Sequence, residues 1–227
     1  MSGTGGMATI ASLLGEPARA NMMAALMDGR ALTAKELAYA AHVAAPTASG
    51  HLAQLAQAGL VSVERQGRHR YHRIATPLIG QMVESIMAVA NAAPEPRRLA
   101  WRGGEALRNA RTCYDHLAGR LGVAIADALA ARDDVRLGED GGELTPSGQS
   151  ALGALGIVAA PRRGRVFCRP CLDWSERRPH LAGTVGSALA CRCFELGWVA
   201  RQRDTRALAI TEAGRAGFSE AFGVSLS

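Results

Sequence analysis

Lysine is nearly missing from this chain: of 26 basic residues in 227, only Lys35 is a lysine. Arginine in its place, together with abundant alanine, reports a GC-rich genome more than selection for phosphate contacts. Where the arginines sit therefore carries more than their number. Aromatic residues are also scarce, at 4%, so single rings such as Tyr114 and Trp174 stand out. No apolar run of about eighteen residues is free of charge and of helix breakers, which excludes a membrane-spanning helix. The start, Met1 to Leu14, has no basic n-region, so the expectation is a cytoplasmic protein with no membrane partner. Five cysteines in a cytoplasmic chain argue for thiols or a metal site rather than a disulfide scaffold. The net charge of +6 suits a polyanionic partner. The length allows one large domain or two small ones.

What is present is concentrated between Thr33 and Ile74. Thr33-Ala34-Lys35-Glu36 spells a capping box that opens a short helix with Leu37 and Ala40 inward, running out near His42. Pro46 then sits where a first helical residue is favoured. A second helix carries Leu52 and Leu55 at i, i+3, with Ala48 and Ala56 on the same face, and Gly59 stops it. Leu60-Val61-Ser62-Val63, a turn at Gly67-Arg68, and Arg70 to Ile74 alternate as a two-stranded ribbon. A helix pair followed by a basic hairpin is a winged helix-turn-helix, which lays its second helix in the major groove and its hairpin along the backbone.

Three blocks carry a resemblance: Leu14-Gly15-Glu16-Pro17-Ala18-Arg19, then Thr33 to Ala38, then Ser49-Gly50-His51-Leu52 through Ala58-Gly59-Leu60-Val61. Together they resemble the ArsR/SmtB family of dimeric bacterial repressors, over Met7 to about Ala93. The resemblance implies a homodimer on an inverted-repeat operator in double-stranded DNA, with the outer helices of the domain at the dimer interface. Pro17 to Asp28 should form one such helix. Thr76-Pro77 should open the other, running to about Ala92 with Ile79, Met82, Val83, Ile86, Met87 and Val89 in a wide apolar stripe. The expected interface lies around Met23, Met27, Met82, Ile86 and Val89. Metal-sensing members carry a Cys-x-Cys where this chain has Leu37-Ala38-Tyr39-Ala40, or Asp and His on the dimer helix, where this chain offers only Glu84. Both family metal sites are absent.

Residues 94–104, rich in proline and arginine, read as a linker. Beyond it the pattern predicts a helix from about Glu105 to Ala131 interrupted near Gly119 and Gly122, a hairpin or loop around residues 138–142, and a short helix capped by Thr145-Pro146. Arg162-Arg163-Gly164-Arg165 is a basic loop, and helical pattern returns over 179–196. Cys193 to Arg203 echoes Leu55 to Arg65, with Gly197 in place of Gly59, so residues 105–227 read as a degenerate winged-helix-like module. Chance similarity remains open beside a true repeat.

The candidate DNA-reading residues are Thr47, Ser49, Gly50, His51 and Gln54 on the second helix, with Arg65, Arg68, Arg70 and Arg73 on the wing for phosphate or minor-groove contact. His51 either touches the DNA backbone or braces its helix. Cys168-x2-Cys171 suits tetrahedral thiolate chemistry, and its flanking arginines are expected to depress the thiol pKa values. Cys191-x-Cys193 is a poorer chelate, because helical neighbours two apart face differently. Cys113 and His116, at i, i+3 on the expected helix, are further candidates, and burial of small thiols is the competing reading. The ligand would be a soft metal such as Zn or As(III). Tyr114, His116 and Trp174 are the alternative, as walls of a small-molecule pocket. A catalytic Cys113/Asp115/His116 set is not expected, since neighbours on one helix cannot surround a substrate.

The fold expected is mainly α with small β-hairpin wings: residues 7–93 as DNA-binding and dimerisation domain, 105–227 as effector or accessory domain. The function expected is a repressor released from its operator by a thiol-reactive agent or soft metal ion. Two alternatives stand beside it. One is the same repressor with structural cysteines and a small organic effector. The other is a metal-handling or enzymatic protein whose winged helix serves protein contacts.

Overall fold

A computed structural model describes residues 3–67, 69–92, 104–138, 141–162, 164–203 and 205–225. The chain divides into two compact units, Met1–Glu84 and Ser85–Ser227. The division falls inside a helix, ahead of the expected boundary near residue 93. The linker over 94–104 lies outside the described residues apart from Gly104.

The first unit runs α1 (Gly3–Leu14), α2 (Pro17–Leu26), β1 (Leu32–Thr33), α3 (Ala34–Ala41), α4 (Ala45–Gln57), β2 (Val61–Gln66) and β3 (His69–Ile74), leading into α5 (Pro77–Ala92). The capping box forms in full: Thr33 Oγ1 accepts from Glu36 N at 3.3 Å, and Glu36 Oε2 accepts from Thr33 N at 2.7 Å. His42 closes α3 in the left-handed region. Gly59, at φ 71°, ends α4 in the same way and turns the chain straight into the wing. The three strands order β1-β3-β2, all antiparallel. Met22, Met23, Leu26, Met27, Leu37 and Leu55 fill the core, each 0–1% exposed. Met23 and Met27 are thus spent on the interior of their own unit and are not free to meet a partner, contrary to the interface expected around them. α1 has no counterpart in the sequence reading.

The second unit departs from expectation in an informative way. In place of one long helix stand α6 (Gly104–Asn109), β4 (Arg111–Cys113), β5 (His116–Ala118) and α7 (Gly119–Ala131). Then follow β6 (Val135–Leu137), β7 (Gly142–Leu144) and α8 (Pro146–Ala154). The remaining elements are β8 (Arg169–Leu172), β9 (Pro179–Ala182), α9 (Gly183–Glu195), β10 (Val199–Arg201), β11 (Leu208–Ile210) and α10 (Glu212–Phe222). Residues 179–182, expected to be helical, are therefore a strand. Gly119 (φ 77°) and Gly183 (φ 81°) mark the strand-to-helix turns. A Cβ at Gly119 would lie 2.6 Å from Arg108 O. β4 and β5 are buried on both faces, so they lack the alternation that betrays a half-exposed strand.

The order hairpin–helix–hairpin–helix occurs twice. His116-Leu117-Ala118-Gly119 returns as His180-Leu181-Ala182-Gly183, 64 residues on (180 − 116). Thr145 and Thr211 cap the last helix of each copy with their hydroxyls. Gly122 and Gly186 are equivalent too: a Cβ would lie 2.4 Å from Leu117 O in the first and 2.3 Å from Leu181 O in the second. In each case, beyond that leucine's carbonyl group, the nearest atom is the histidine Cβ of the other copy, at 3.4 and 3.3 Å. Each helix thus packs on the opposite copy's hairpin. Leu121, Ile125, Leu129, Val185, Leu189 and Phe218 join both copies in one core. Each copy ends in the helix–hairpin–helix succession expected of a winged-helix-like module, but the unit holds that succession twice.

Candidate nucleic-acid interface and a buried Cys–His cluster

α4 buries Ala48, Leu52 and Leu55 and leaves Thr47, Ser49, Gly50 and Gln54 exposed. A Cβ at Gly50 would meet nothing within 4 Å, so that point of the helix offers bare backbone to an approaching surface. Ser49 Oγ donates to Ala45 O at 3.0 Å and can still accept. His51 and Gln54 are engaged within the protein. Arg19 Nη1 donates to Gln54 Oε1 at 2.8 Å and lies 3.4 Å from His51 Nδ1. Its Nε donates to Leu13 O at 2.5 Å. Glu16 Oε2 caps α2 by accepting from Arg19 N at 2.8 Å and stands 3.7 Å from His51 Nε2. That backbone hydrogen bond holds the Glu16 carboxyl below its ordinary range. Arg19 thereby ties the end of α1 to α4, and His51 lies between Arg19 and Glu16.

The wing is the β2–β3 hairpin. Its register sets Arg65 directly opposite Arg70, and both are exposed. Like charges on a directly opposed pair mildly destabilise a sheet, and this pair concentrates positive charge on the exposed hairpin. Arg73 pairs with Glu64 at 3.7 Å. Arg68 lies outside the described residues. At the base of the wing His72 is buried, its Nδ1 3.2 Å from Leu32 O.

The cysteines are sorted by the second unit in a way their spacing conceals. Cys168, at a bend just before β8, and Cys171, inside that strand, take opposite sides: Cys168 enters the large apolar core, while Cys171 lies with Cys113, Ala118 and Ala182. The expected Cys-x2-Cys knuckle does not form. Burial pushes the Cys168 thiol up to about 11 and Cys193 up to about 12, so the flanking arginines do not activate Cys168. Cys191 is exposed, donates to Glu195 Oε1 at 3.5 Å, and is also raised, by desolvation and by that carboxylate.

Cys113 and His116 are cross-strand partners in the β4–β5 hairpin, and Cys171 and His180 are cross-strand partners in β8–β9. All four are buried, and one donor atom from each lies within 4.8 Å of the others. His116 Nε2 faces His180 Nε2 at 3.1 Å. Behind His116, Nδ1 is 3.4 Å from Asp115 Oδ1, and behind His180, Nδ1 is 3.2 Å from Asp173 Oδ2, within ion-pair distance though off hydrogen-bonding alignment. Asp173 also takes Arg111 Nη2 at 2.7 Å and Gly119 N at 2.7 Å. Burial favours its neutral form, but the nearby His180 and the charge and hydrogen bond of Arg111 outweigh that and hold it far below the usual carboxylate range. The Trp174 ring, proposed as a pocket wall, is covered by the Arg111 guanidinium at 4.4 Å. Tyr114 sits at the hairpin turn with φ 59°.

Residues 14–64 match the family described as a helix-turn-helix domain, HTH_20. The chain is 40% identical over 221 residues to the uncharacterized HTH-type transcriptional regulator YdfF of Bacillus subtilis (strain 168), covering 96% of this chain and 98% of that protein. This chain belongs to the HTH-type transcriptional regulators. Among solved structures it is similar to the homodimeric winged helix-turn-helix DNA-binding domain of Mb0332 from Mycobacterium bovis, a possible ArsR-family regulator. The identity there is 26%, over 40% of this chain and 84% of that one, with TM-score 0.38. Reduced HlyU from Vibrio cholerae N16961 is 18% identical over 38% of this chain and 90% of that one, with TM-score 0.36. Among the described residues no helix is long and apolar enough to cross a membrane.

In this HTH-type regulator the residue that sequence reasoning missed is His180. Its signal was available: the His-Leu-Ala-Gly run occurs twice. The comparison made on the sequence instead paired the C-terminal hairpin with the wing, and the repeat internal to the second unit went unread.

Proposed function

We propose that the protein is a homodimeric repressor acting in the cytoplasm, where the first unit binds an inverted-repeat operator. The observation that carries the reading is the opposed pair Arg65 and Arg70 on an exposed hairpin that follows directly on α4. Phosphates neutralise this pair, and Arg68, three residues after Arg65 in the sequence, adds a further positive charge. Thr47, Ser49 and the open backbone at Gly50 read base edges, and Gln54 and His51, held by Arg19, fix the angle of the reading helix. Dimerisation uses α5, where Leu78, Ile86 and Val89 are 74%, 49% and 72% exposed and, with Met82, line one helical face.

The second unit carries the effector response. An effector releases DNA only by binding the DNA-incompetent form of the dimer more tightly. Burial of Cys113, Cys168, Cys171 and Cys193 favours the form of this reading in which the cysteines are structural and the effector is a small organic molecule. The test is salt-dependent binding to the protein's own promoter region. Arg65→Ala with Arg70→Ala should weaken binding to all sequences and flatten the logarithmic salt slope by about one unit per lost phosphate contact. An unchanged slope, or no salt-dependent binding by the parent protein, overturns the reading.

A further inference from the structure

We propose that Cys113, His116, Cys171 and His180 form one tetrahedral site for a d10 divalent cation of the zinc class, built on the internal symmetry of the second unit. Each copy of the repeat supplies one thiolate from its first strand and one imidazole from the strand opposite. The geometry fits such an ion. Bonds of about 2.3 Å to sulfur and about 2.0–2.1 Å to nitrogen set tetrahedral ligand atoms roughly 3.3–3.8 Å apart. The four donors here fall within 4.8 Å of one another, and the two Nε2 atoms are 3.1 Å apart.

The arrangement behind the imidazoles points the same way. Asp115 and Asp173 stand beside the two Nδ1 atoms, which favours the tautomer with the proton on Nδ1 in both rings. The two Nε2 atoms then face each other at 3.1 Å, a separation that either a shared proton or a cation ligated by both nitrogens would bridge. A carboxylate behind a ligating imidazole is the usual support of a zinc-bound histidine. Two thiols and two imidazoles select zinc over the oxygen-seeking magnesium and calcium ions.

Four protein ligands leave no open position, so the site is a staple and not a catalytic centre. It joins the β4–β5 hairpin to β8–β9, which are far apart in sequence. Gly122 and Gly186 allow the close packing it needs, since each lies against the other copy's ligand histidine at 3.4 and 3.3 Å. Ion binding releases the two thiol protons and is coupled to the folding of this unit. The inference does not depend on DNA binding and can fail or hold separately from it.

The experiment uses the full chain purified under reducing conditions from zinc-containing medium. Elemental analysis should find about one zinc per chain, and chelation should lower the melting temperature of the second unit. Cobalt added to the stripped protein should give the absorption of a tetrahedral ion with thiolate charge-transfer bands. Cys113→Ser and His180→Gln should lose the ion, whereas Cys168→Ser and Cys191→Ser should retain it. Asp115→Asn should weaken affinity on the order of 10–100-fold. If a ligand variant does not fold, the cobalt spectrum of the stripped parent decides. A parent chain that takes up neither zinc nor cobalt stoichiometrically overturns the proposal and leaves a proton shared between the two histidines. So does a six-coordinate cobalt spectrum without thiolate bands, or full metal content in a folded Cys113→Ser/Cys171→Ser protein.

Discussion

Replacing Asp173 by alanine should cost the second unit a large part of its stability. The Asp173 and Arg111 side chains are both 0% exposed, with Arg111 Nη2 donating to Oδ1 at 2.7 Å. Oδ1 also accepts from Ser175 N at 2.9 Å and Ser175 Oγ at 2.8 Å, while Oδ2 accepts from Gly119 N at 2.7 Å. Alanine leaves the guanidinium buried without its counter-ion, a loss of about 3–5 kcal/mol. It also orphans the Gly119 N–H at the start of α7, a further 1–3 kcal/mol or so. The sum of about 4–8 kcal/mol compares with a total stability of about 5–15 kcal/mol for a domain. At roughly 2–4 °C per kcal/mol, the melting transition should fall by roughly 10–30 °C. The assay is calorimetry of the full chain, stripped of metal and loaded in parallel, so that the ion pair is read apart from any ion at His180. A double variant, Arg111→Met with Asp173→Ala, removes the stranded charge and should be more stable than Asp173→Ala alone. An Asp173→Ala protein within about 1 kcal/mol of the parent, or a double variant worse than the single one, would refute the argument that the pair's cost lies in the unpaired charge.

Burial at the base of the wing holds the His72 pKa below its ordinary value, with Arg70 adding to the effect against the Leu32 carbonyl. The unfolded chain takes up that proton first, so stability of the first unit is full above the ordinary histidine value near 6.5 and declines as pH falls below it; His72→Gln should flatten the decline in denaturant titrations between about pH 7 and pH 5, and an unchanged profile would assign it to another group. Gly186→Ala places a methyl 2.3 Å from Leu181 O, which forces the backbone apart and should cost about 1–3 kcal/mol or more. The same change at Gly122 should match it, and a neutral result at either would break the equivalence of the two copies. Ile86→Asp sets a carboxylate on the apolar face of α5; if that face joins two chains, burying it unpaired should cost several kcal/mol and turn the dimer into monomers in sedimentation, whereas a persisting dimer moves the interface elsewhere.

The first unit was legible in its sequence because the signals that specify it are local. Thr33 and Glu36 cap a helix three residues apart, Gly59 ends the next one by its own backbone freedom, and the alternation from Val61 to Ile74 declares a hairpin half open to solvent. Even there, tertiary contacts decided two things: that Met23 and Met27 fill the interior of their own unit, and that Gln54 is held by Arg19. In the second unit the balance is reversed. Its cap at Thr145 was readable, but strands as short as β4 and β5, buried along their whole length, show no period to tell them from helix. The pairing of Cys113 with His116, and of Cys171 with His180, is set by hairpin register, and the meeting of the two pairs by the packing of one repeat on the other. Spacing along the chain favoured Cys168 with Cys171. The bend at Cys168 and the strand that follows send those two thiols into different clusters, and only the folded hairpins could show which of them faces the histidines.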